Sequence, residues 1–461
     1  MIAPDDLCAL LRAALGRAGE AEAELYARVA RRGFARFAAG ELGQHMALEE
    51  PRVVARVARG KRVAEASTSD LSEPAIVEAV AAAAALAAQV PEDVDFPGFA
   101  GPEETPLELP RRFSDATATF GPEARAAALA PVLLAIREAG LVATGALDVT
   151  AHVEAVATTH GLGRGHRGTL ATFRVWALAS SGGGGASGHG HAAHVDVGQL
   201  DFAGETARAI ADAERSRDPV ALGPGSYDVV LEARAVAELF EWLAYIAFSA
   251  RELHQGSSPL AGRIGERISG ARMAVVEDPT GDLAFSGPFD REGTTRRRVP
   301  LIEEGLARGV LYDRLWAARL GAVSTGSAAM PAFGEAGPAA SALVVAGGEA
   351  ASSDDLVAGI ERGLLVRRLH YVNGLLEPRR AVMTGLTRDG TFLVENGRVT
   401  HAVGNLRFTD SLLEAFERVD GATRARVVTP TWWSDVGSVA APAIRVRALR
   451  FTGGSQKAIE L

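Results

Sequence analysis

Strand-patterned segments follow one another in this chain without helices between them, and that order excludes most alternating α/β architectures. After a helical pattern over Pro4–Gly19, the segments ELYARVA, GFARFAAG, QHMALEE and RVVARVARGKRVAEAST read as short strands, the last a hairpin turning at Gly60–Lys61. The chain carries 51 glycines, well above ordinary usage, which supplies the many turns that short strands need. The pattern predicts an α+β protein with antiparallel-rich sheets and flanking helices, rather than a doubly wound parallel sheet.

A second helix follows, with Ser72 as its cap and Pro74 in its first turn. Val90–Pro110 has no apolar period and is dense in proline and acid, so it reads as a linker. Beyond it the order recurs: the helix EARAAALAPVLLAIREAG, strands around a turn at Gly161–Gly165, a strand HAAHVDVGQLDF and the helix GETARAIADAERSRD. Helix, meander, helix thus occurs twice, as a duplication would leave it. From Gly223 a strand runs into a long apolar helix, Ala235–Gly256, and the remainder is richer in strands. Its hairpin at Glu395–Arg398 is marked by Asn-Gly, which suits a type I′ turn, and short helices are predicted at Tyr312–Leu320, Asp354–Arg362 and Thr409–Val419. The predicted division is an N-terminal α/β module (1–90), a Pro/acid-rich linker (91–115), a second α/β module (116–222) and a strand-rich C-terminal domain (223–461).

A formal charge of −9 argues against nucleic acid as a partner, since the only basic run is Arg296–Arg298. The single cysteine, Cys8, allows neither an internal disulfide nor a cysteine zinc cluster, which fits a reducing cytoplasm. The N-terminus is acidic where a signal peptide would be basic, and the longest apolar run, Ala75–Val90, is interrupted by Glu78 and rich in alanine. A soluble cytoplasmic protein that does not engage membranes is expected.

Three local patterns bear on chemistry. Ser187–His194 places three histidines in six residues, but after a glycine-rich run and at spacings that close no zinc site, so a solvated loop leading into a strand is expected, with metal binding as the alternative. His189 and His191 would share one strand face and His194 the other. The glycine run lacks the Lys and Ser/Thr of a phosphate loop, and no nucleophile elbow is present. In Ser286–Gly326, FDREG packs opposite charges into a tight turn with Gly293 in a special backbone conformation, and Ser324–Gly326 closes the segment. The third pattern is Glu241, an acid among Leu239, Phe240, Trp242 and Leu243. It reads as a paired core acid, a catalytic base, or the remnant of one.

FSGPFDREGTTRRRVPLIEEGLARGVLYDRLWAARLGAVSTG closely resembles the signature of the TldD/PmbA family: a Phe-Asp-x-Glu-Gly turn, an Ile-Glu-x-Gly strand, an aromatic-Asp helix and a Ser-Thr-Gly. Weaker similarity runs over nearly the whole length, through ARFAAGELGQ, PEDVDFPGF, SPLAGRIGERISGARMAVVEDP and HAVGNLRFTDSLLEAF. The resemblance implies a metallopeptidase system that cleaves unstructured peptides. Its catalytic member carries His-Glu-x-x-x-His on a helix and a later cysteine as third zinc ligand. On this sequence that motif falls on Phe240-Glu241-Trp242-Leu243-Ala244-Tyr245. Glu241 keeps its place, both histidine positions hold aromatic residues, and the C-terminal TWWSDVGSVAAPAI offers no cysteine.

The resemblance therefore implies the PmbA/TldE branch: no metal or other cofactor bound by this chain, no catalysis by it alone, and zinc supplied by a TldD-type partner in a heterodimer around a shared cavity. Asp290, Glu292, Gly293, Ser324, Thr325 and Gly326 are the candidates for lining the substrate channel. The alternatives are a stand-alone peptide-binding or regulatory homodimer, and an enzyme with metal at His189–His194 or near His254.

Overall fold

β1 (Glu22–Ala38) hydrogen-bonds along both of its edges, to β2 (Glu41–Arg59) on one side and to β4 (Leu141–Thr158) on the other. With β3 (Arg62–Thr68), β5 (Gly163–Ala179) and β6 (Ser187–His194) it forms one six-stranded sheet in the order β3-β2-β1-β4-β5-β6. A computed structural model describes the chain except residues 18, 20–21, 104, 106, 180–185, 330–336, 432–436 and 455–461. The two modules expected at 1–90 and 116–222 are therefore not separate: each meander would leave its first strand with an open edge, and those edges pair with each other. The order is symmetric about β1 and β4, the topology a duplicated helix-meander-helix unit would produce.

Odd-numbered residues of β1 and β4 face the helices. Leu25, Ala27, Val29 and Val153 pack with Leu7, Leu11, Ile76 and Val80, while Phe37, Leu147, Phe173 and Val175 pack with Leu129, Ile136 and Ala209. The alternate residues, among them Glu24, Tyr26 and Arg28, line the opposite face.

Three short strands and a hairpin, five strands in all, were expected up to residue 68, and three strands, two of them long, are present. Gly33 does not break β1: a Cβ there would meet Arg125 Nη1 at 2.3 Å, so the glycine admits a side chain crossing the strand. Pro51 is tolerated in β2 because β3 pairs with it only from Val53 onward, leaving one edge free around the proline. The expected linker is in part a packed strap. Phe96 and Phe99 are buried edge-to-face with centroids 5.2 Å apart, and Arg319 holds Asp93 at 2.7 Å and Asp95 at 3.2 Å.

In the C-terminal half, β7 (Gly225–Leu231) pairs with Ile444–Gly454 and, in parallel, with Arg362–Glu377. Arg362–Glu377 also pairs with Val382–Glu395, which closes a ring through Leu406–Ser411. A second sheet runs Leu306–Ala307, Val299–Glu303, Val275–Glu277, Ala342–Val345, Ser438–Ala441, Val427–Pro430. Apart from two parallel pairings between named strands, the ladders are antiparallel, as expected. The hairpin at Asn396–Gly397 has φ of 51° and 74°, the left-handed pair a type I′ turn requires.

The strand Arg362–Glu377 was not anticipated. Its register shifts after Val366, His370 and Asn373 scramble the period-two pattern, and the helix expected at Asp354–Arg362 ends at Val357. The apolar helix is also shorter than expected, spanning Ala233–Ala247, with a separate turn of helix at Ala250–His254. Between them the backbone leaves the helix to exchange hydrogen bonds with Leu311: its N–H donates to Phe248, and its carbonyl accepts from Ala250. Among the described residues no helix is long and apolar enough to cross a membrane.

Phe173 is fully buried, with its ring 4.8 Å from that of Phe202. Replacing it with alanine should destabilise the protein by about 3–5 kcal/mol, read as a lower thermal unfolding midpoint.

Candidate functional site

The polar face of the six-stranded sheet is buried against the C-terminal half, and the FDREG turn is what it meets. Asp290 is 1% exposed; Oδ1 accepts the N–H groups of Glu292 (2.9 Å) and Thr294 (3.0 Å), and Oδ2 that of Ala328 (2.8 Å). Gly293 takes φ of 73°, and a Cβ on it would lie 2.4 Å from Leu162 Cδ2, so glycine is required twice over. Glu292 reaches across the boundary. Its Oε1 accepts from Arg56 Nη1 at 3.0 Å, the same nitrogen that donates to Glu24 Oε1 at 3.0 Å, and its Oε2 accepts the N–H of Arg314 at 3.0 Å.

The electrostatics follow from that burial. Desolvation opposes the charge on Arg56, but Glu24 and Glu292 more than offset it and its pKa is raised. Burial, and then the Glu292 carboxylate, push Asp290 up to about 8 and Asp313 up to about 7. Asp313 caps the helix Arg314–Arg319 by accepting the Trp316 N–H at 2.7 Å.

Ser324–Gly326 lies beside this turn. Arg296 donates to the Phe289 carbonyl at 3.1 Å and to that of Gly326 at 3.1 Å, and a Cβ on Gly326 would meet the Thr295 carbonyl oxygen at 2.3 Å. Ser324 Oγ donates to the Tyr312 carbonyl at 3.2 Å, and Thr325 Oγ1 accepts the Tyr312 N–H at 2.8 Å. The six candidates are thus brought together, but most of their polar atoms serve internal bracing. Thr325 is the one that lines an open cleft of about 630 Å³, with Val299, Val310, Tyr312 and Val323 as apolar walls.

The helix Ala233–Ala247 has two faces. Val236, Leu239, Phe240, Leu243 and Ile246 enter the main core, where the Phe240 ring stacks on Phe416 at 5.0 Å. Arg234, Glu238, Glu241 and Tyr245 recur at helical spacing on another face. Glu241 is buried at 7% exposure, whereas Tyr245 is 37% exposed and packs edge-on against Trp242. Five residues apart on a regular α-helix, positions 240 and 245 point ~140° away from each other, so the two rings do not converge.

The expectation of a solvated loop at Ser187–His194 is corrected. The segment is β6, with His189 and His191 buried and His194 on the other, exposed side. Its intervening glycines explain the sequence: a Cβ on Gly188 or Gly190 would lie 2.0 Å from the Ala209 carbonyl oxygen or 2.2 Å from that of Glu205, because the helix Phe202–Arg215 rests directly on the strand. Among the described residues no three His, Cys, Asp or Glu side chains are grouped to hold a metal ion. The C-terminal segment in which a cysteine ligand was sought lies partly outside the described residues, at 432–436.

Sequence reasoning missed a neighbouring polar cluster. Trp176 Nε1 and Ser187 Oγ donate to Asp389 at 3.0 and 2.7 Å, and Arg368 pairs with the same carboxylate. Burial pushes Glu238 up to about 7 against the opposing pull of Arg368 and Arg234. The four-residue step from Arg234 to Glu238 was a readable signal, whereas Trp176, Arg368 and Asp389 meet only through tertiary packing.

Residues 224–453 match the family model described as the PmbA/TldA metallopeptidase C-terminal domain. A stretch of 102 residues is 38% identical to an uncharacterized protein of Methanocaldococcus jannaschii, covering 22% of this chain and 24% of that one. Another of 203 residues is 26% identical to a metalloprotease TldD homolog of Haemophilus influenzae, covering 44% of this chain and 39% of the relative. The aligned stretches therefore span well under half the length of these curated relatives. The crystal structure of TldE from Thermococcus kodakarensis superposes with a TM-score of 0.87 at 22% identity, covering 96% of this chain and 99% of that one, which establishes a shared fold.

Glu292→Ala should leave Arg56 underpaired at the buried boundary and destabilise the protein by about 3–5 kcal/mol, measured by thermal or denaturant unfolding. Glu238 supplies a pH test. Its carboxyl holds a proton in the folded state up to about pH 7, while the unfolded chain loses it near 4.5, so the group's contribution to stability falls as pH rises through that window. The unfolding midpoint of Glu238→Gln relative to the parent should accordingly rise between pH 5 and pH 8.

Proposed function

This chain belongs to the PmbA/TldD metallopeptidase family, and from that premise we propose that it is the zinc-less subunit of a two-component peptidase acting on unstructured peptides. A TldD-type partner would supply zinc and the activated water; this chain would supply fold, interface and part of a peptide channel in a cytoplasmic heterodimer. The observation that carries this reading is the helix Ala233–Ala247. At the positions where the family's catalytic member has its histidines, this chain has Phe240, sealed into the core against Phe416, and Tyr245, directed elsewhere.

The donor set there does not fit a catalytic zinc ion. A phenyl ring has no lone pair to give, a lone phenol is a poor substitute for two imidazoles, and the chain's one cysteine, Cys8, is buried among the N-terminal helices. Glu241 keeps the place of the base, with no metal-bound water for it to deprotonate. No hydrolytic step is therefore assigned to this chain.

For peptide handling, support comes from the cleft beside Thr325. Its walls are mostly apolar, and Val323 at its margin is 67% exposed. A mostly apolar open cleft suits a side chain of an extended peptide.

The test is to purify the chain alone and with a family member bearing His-Glu-x-x-x-His, then follow cleavage of an unstructured peptide. The pair should form a heterodimer and cut in a chelator-sensitive manner, whereas the single chain should not cut. Chelator-sensitive cleavage by the partner-free chain would overturn the reading. Peptide binding by a homodimer that ignores the zinc-bearing relative would favour the stand-alone alternative.

A further inference from the structure

Arg234 stands in the first turn of the Ala233–Ala247 helix, with Nε and Nη1 buried and without a hydrogen-bond partner. Guanidinium groups nearby are already engaged. Arg368 pairs with Asp389, Arg174 with Asp148, and Arg367 with both Asp212 and Glu232. Arg234 has no such carboxylate among the described residues, and the adjacent guanidinium of Arg368 repels it.

Two imidazoles lie within electrostatic reach of it. His189 and His191 are 7% and 5% exposed, and Nε2 of the first and Nδ1 of the second are likewise buried without a partner. The register of β5 and β6 sets them side by side opposite Trp176 and Arg174, and the His189 ring is held edge-on to Trp176 at 4.5 Å. Burial, and then the charge of Arg234, hold both imidazoles well below their ordinary pKa. A neutral imidazole carries one N–H, and in one tautomer each ring presents it at the unpartnered nitrogen.

We propose that Arg234, His189 and His191 form the donor side of a binding site for a single oxyanion group, a carboxylate or a phosphate. Buried donors without acceptors call for an acceptor ligand, and the surplus of guanidinium groups makes a cation unsuitable. The first turn of a long helix adds partial positive charge at the same place. Arginine meets both oxyanion classes in bidentate fashion. Glu238, one turn along, and Glu205 attract Arg234 without forming an ion pair with it, and burial raises Glu238 to about 7, which weakens its competition below that pH. Arg234 and Glu238 are each partly exposed, which brings one edge of the cluster to the surface. The two sources of such a group are the carboxylate ending a peptide chain and free phosphate.

The site does not rest on the two-component reading, and its test needs neither a partner nor proteolysis. The full chain, in phosphate-free buffer, is titrated calorimetrically with inorganic phosphate and with one pentapeptide as the free acid and as the C-terminal amide. Thermal midpoints are followed in parallel. Saturable binding is expected, weakened at least tenfold by Arg234→Met and retained in Glu238→Gln. A tenfold preference for the free acid over the amide identifies a peptide terminus; phosphate binding without that preference identifies phosphate. Arg234→Met removes an unpaired buried charge, so its ligand-free midpoint should equal or exceed that of the parent, which shows that the variant folds. Absence of saturable binding by all three probes, or parental affinity in folded Arg234→Met, would overturn the proposal.

Discussion

Arg56 lies between two carboxylates, Glu24 from its own sheet and Glu292 from the other half of the chain, and the joint between the halves depends on it. A guanidinium taken out of water is costly unless its donors are matched by acceptors, and here one nitrogen serves two buried acids. The match fixes which residue of the FDREG turn faces which position of β2. Once Glu292 is held, its second oxygen anchors the N–H of Arg314, and the helix that begins there carries Arg319 to the strap at Asp93 and Asp95. One ion triad thus orders a turn, a helix and the connection between the two halves.

That joint explains why the six-stranded sheet is polar on one side and yet largely buried where it meets the C-terminal half. Its odd positions bury aliphatic and aromatic side chains under the helices. The other face pairs charge: Glu24 with Arg56 and Glu154 with Arg28 at 3.3 Å, both largely buried, and the buried Asp148 with the exposed Arg32 at 3.0 Å and Arg174 at 3.2 Å. Such pairing imposes geometry more than it adds net stability, because desolvation consumes most of the Coulomb gain. Arg234, unmatched amid this network, is conspicuous for that reason.

The helix Ala233–Ala247 carries both functional conclusions on different sides. Its apolar face buries Phe240 in the main core against Phe416. Its polar face brings Arg234 and Glu238 to the seam with β6. The general architecture is shared with the TldE structure, and the oxygen-bearing side chains of this helix, Glu238, Glu241 and Tyr245, lie off its apolar face.

Much of this was readable from residues alone, because it depends on local chemistry. The Asn396–Gly397 turn, the antiparallel class, and the opposite faces of His189 and His194 follow from backbone preference and period. The tertiary structure alone decided the rest. It joined two meanders into one sheet, because an open strand edge takes whichever partner comes within reach. It turned the proline-rich segment into a strap, because Phe96 and Phe99 found a surface to bury against. It hid the Arg362–Glu377 strand behind three register shifts, and it buried His189 and His191 while leaving His194 exposed. A sequence specifies what each residue can do; which long-range neighbour removes it from water is settled only when the chain closes on itself.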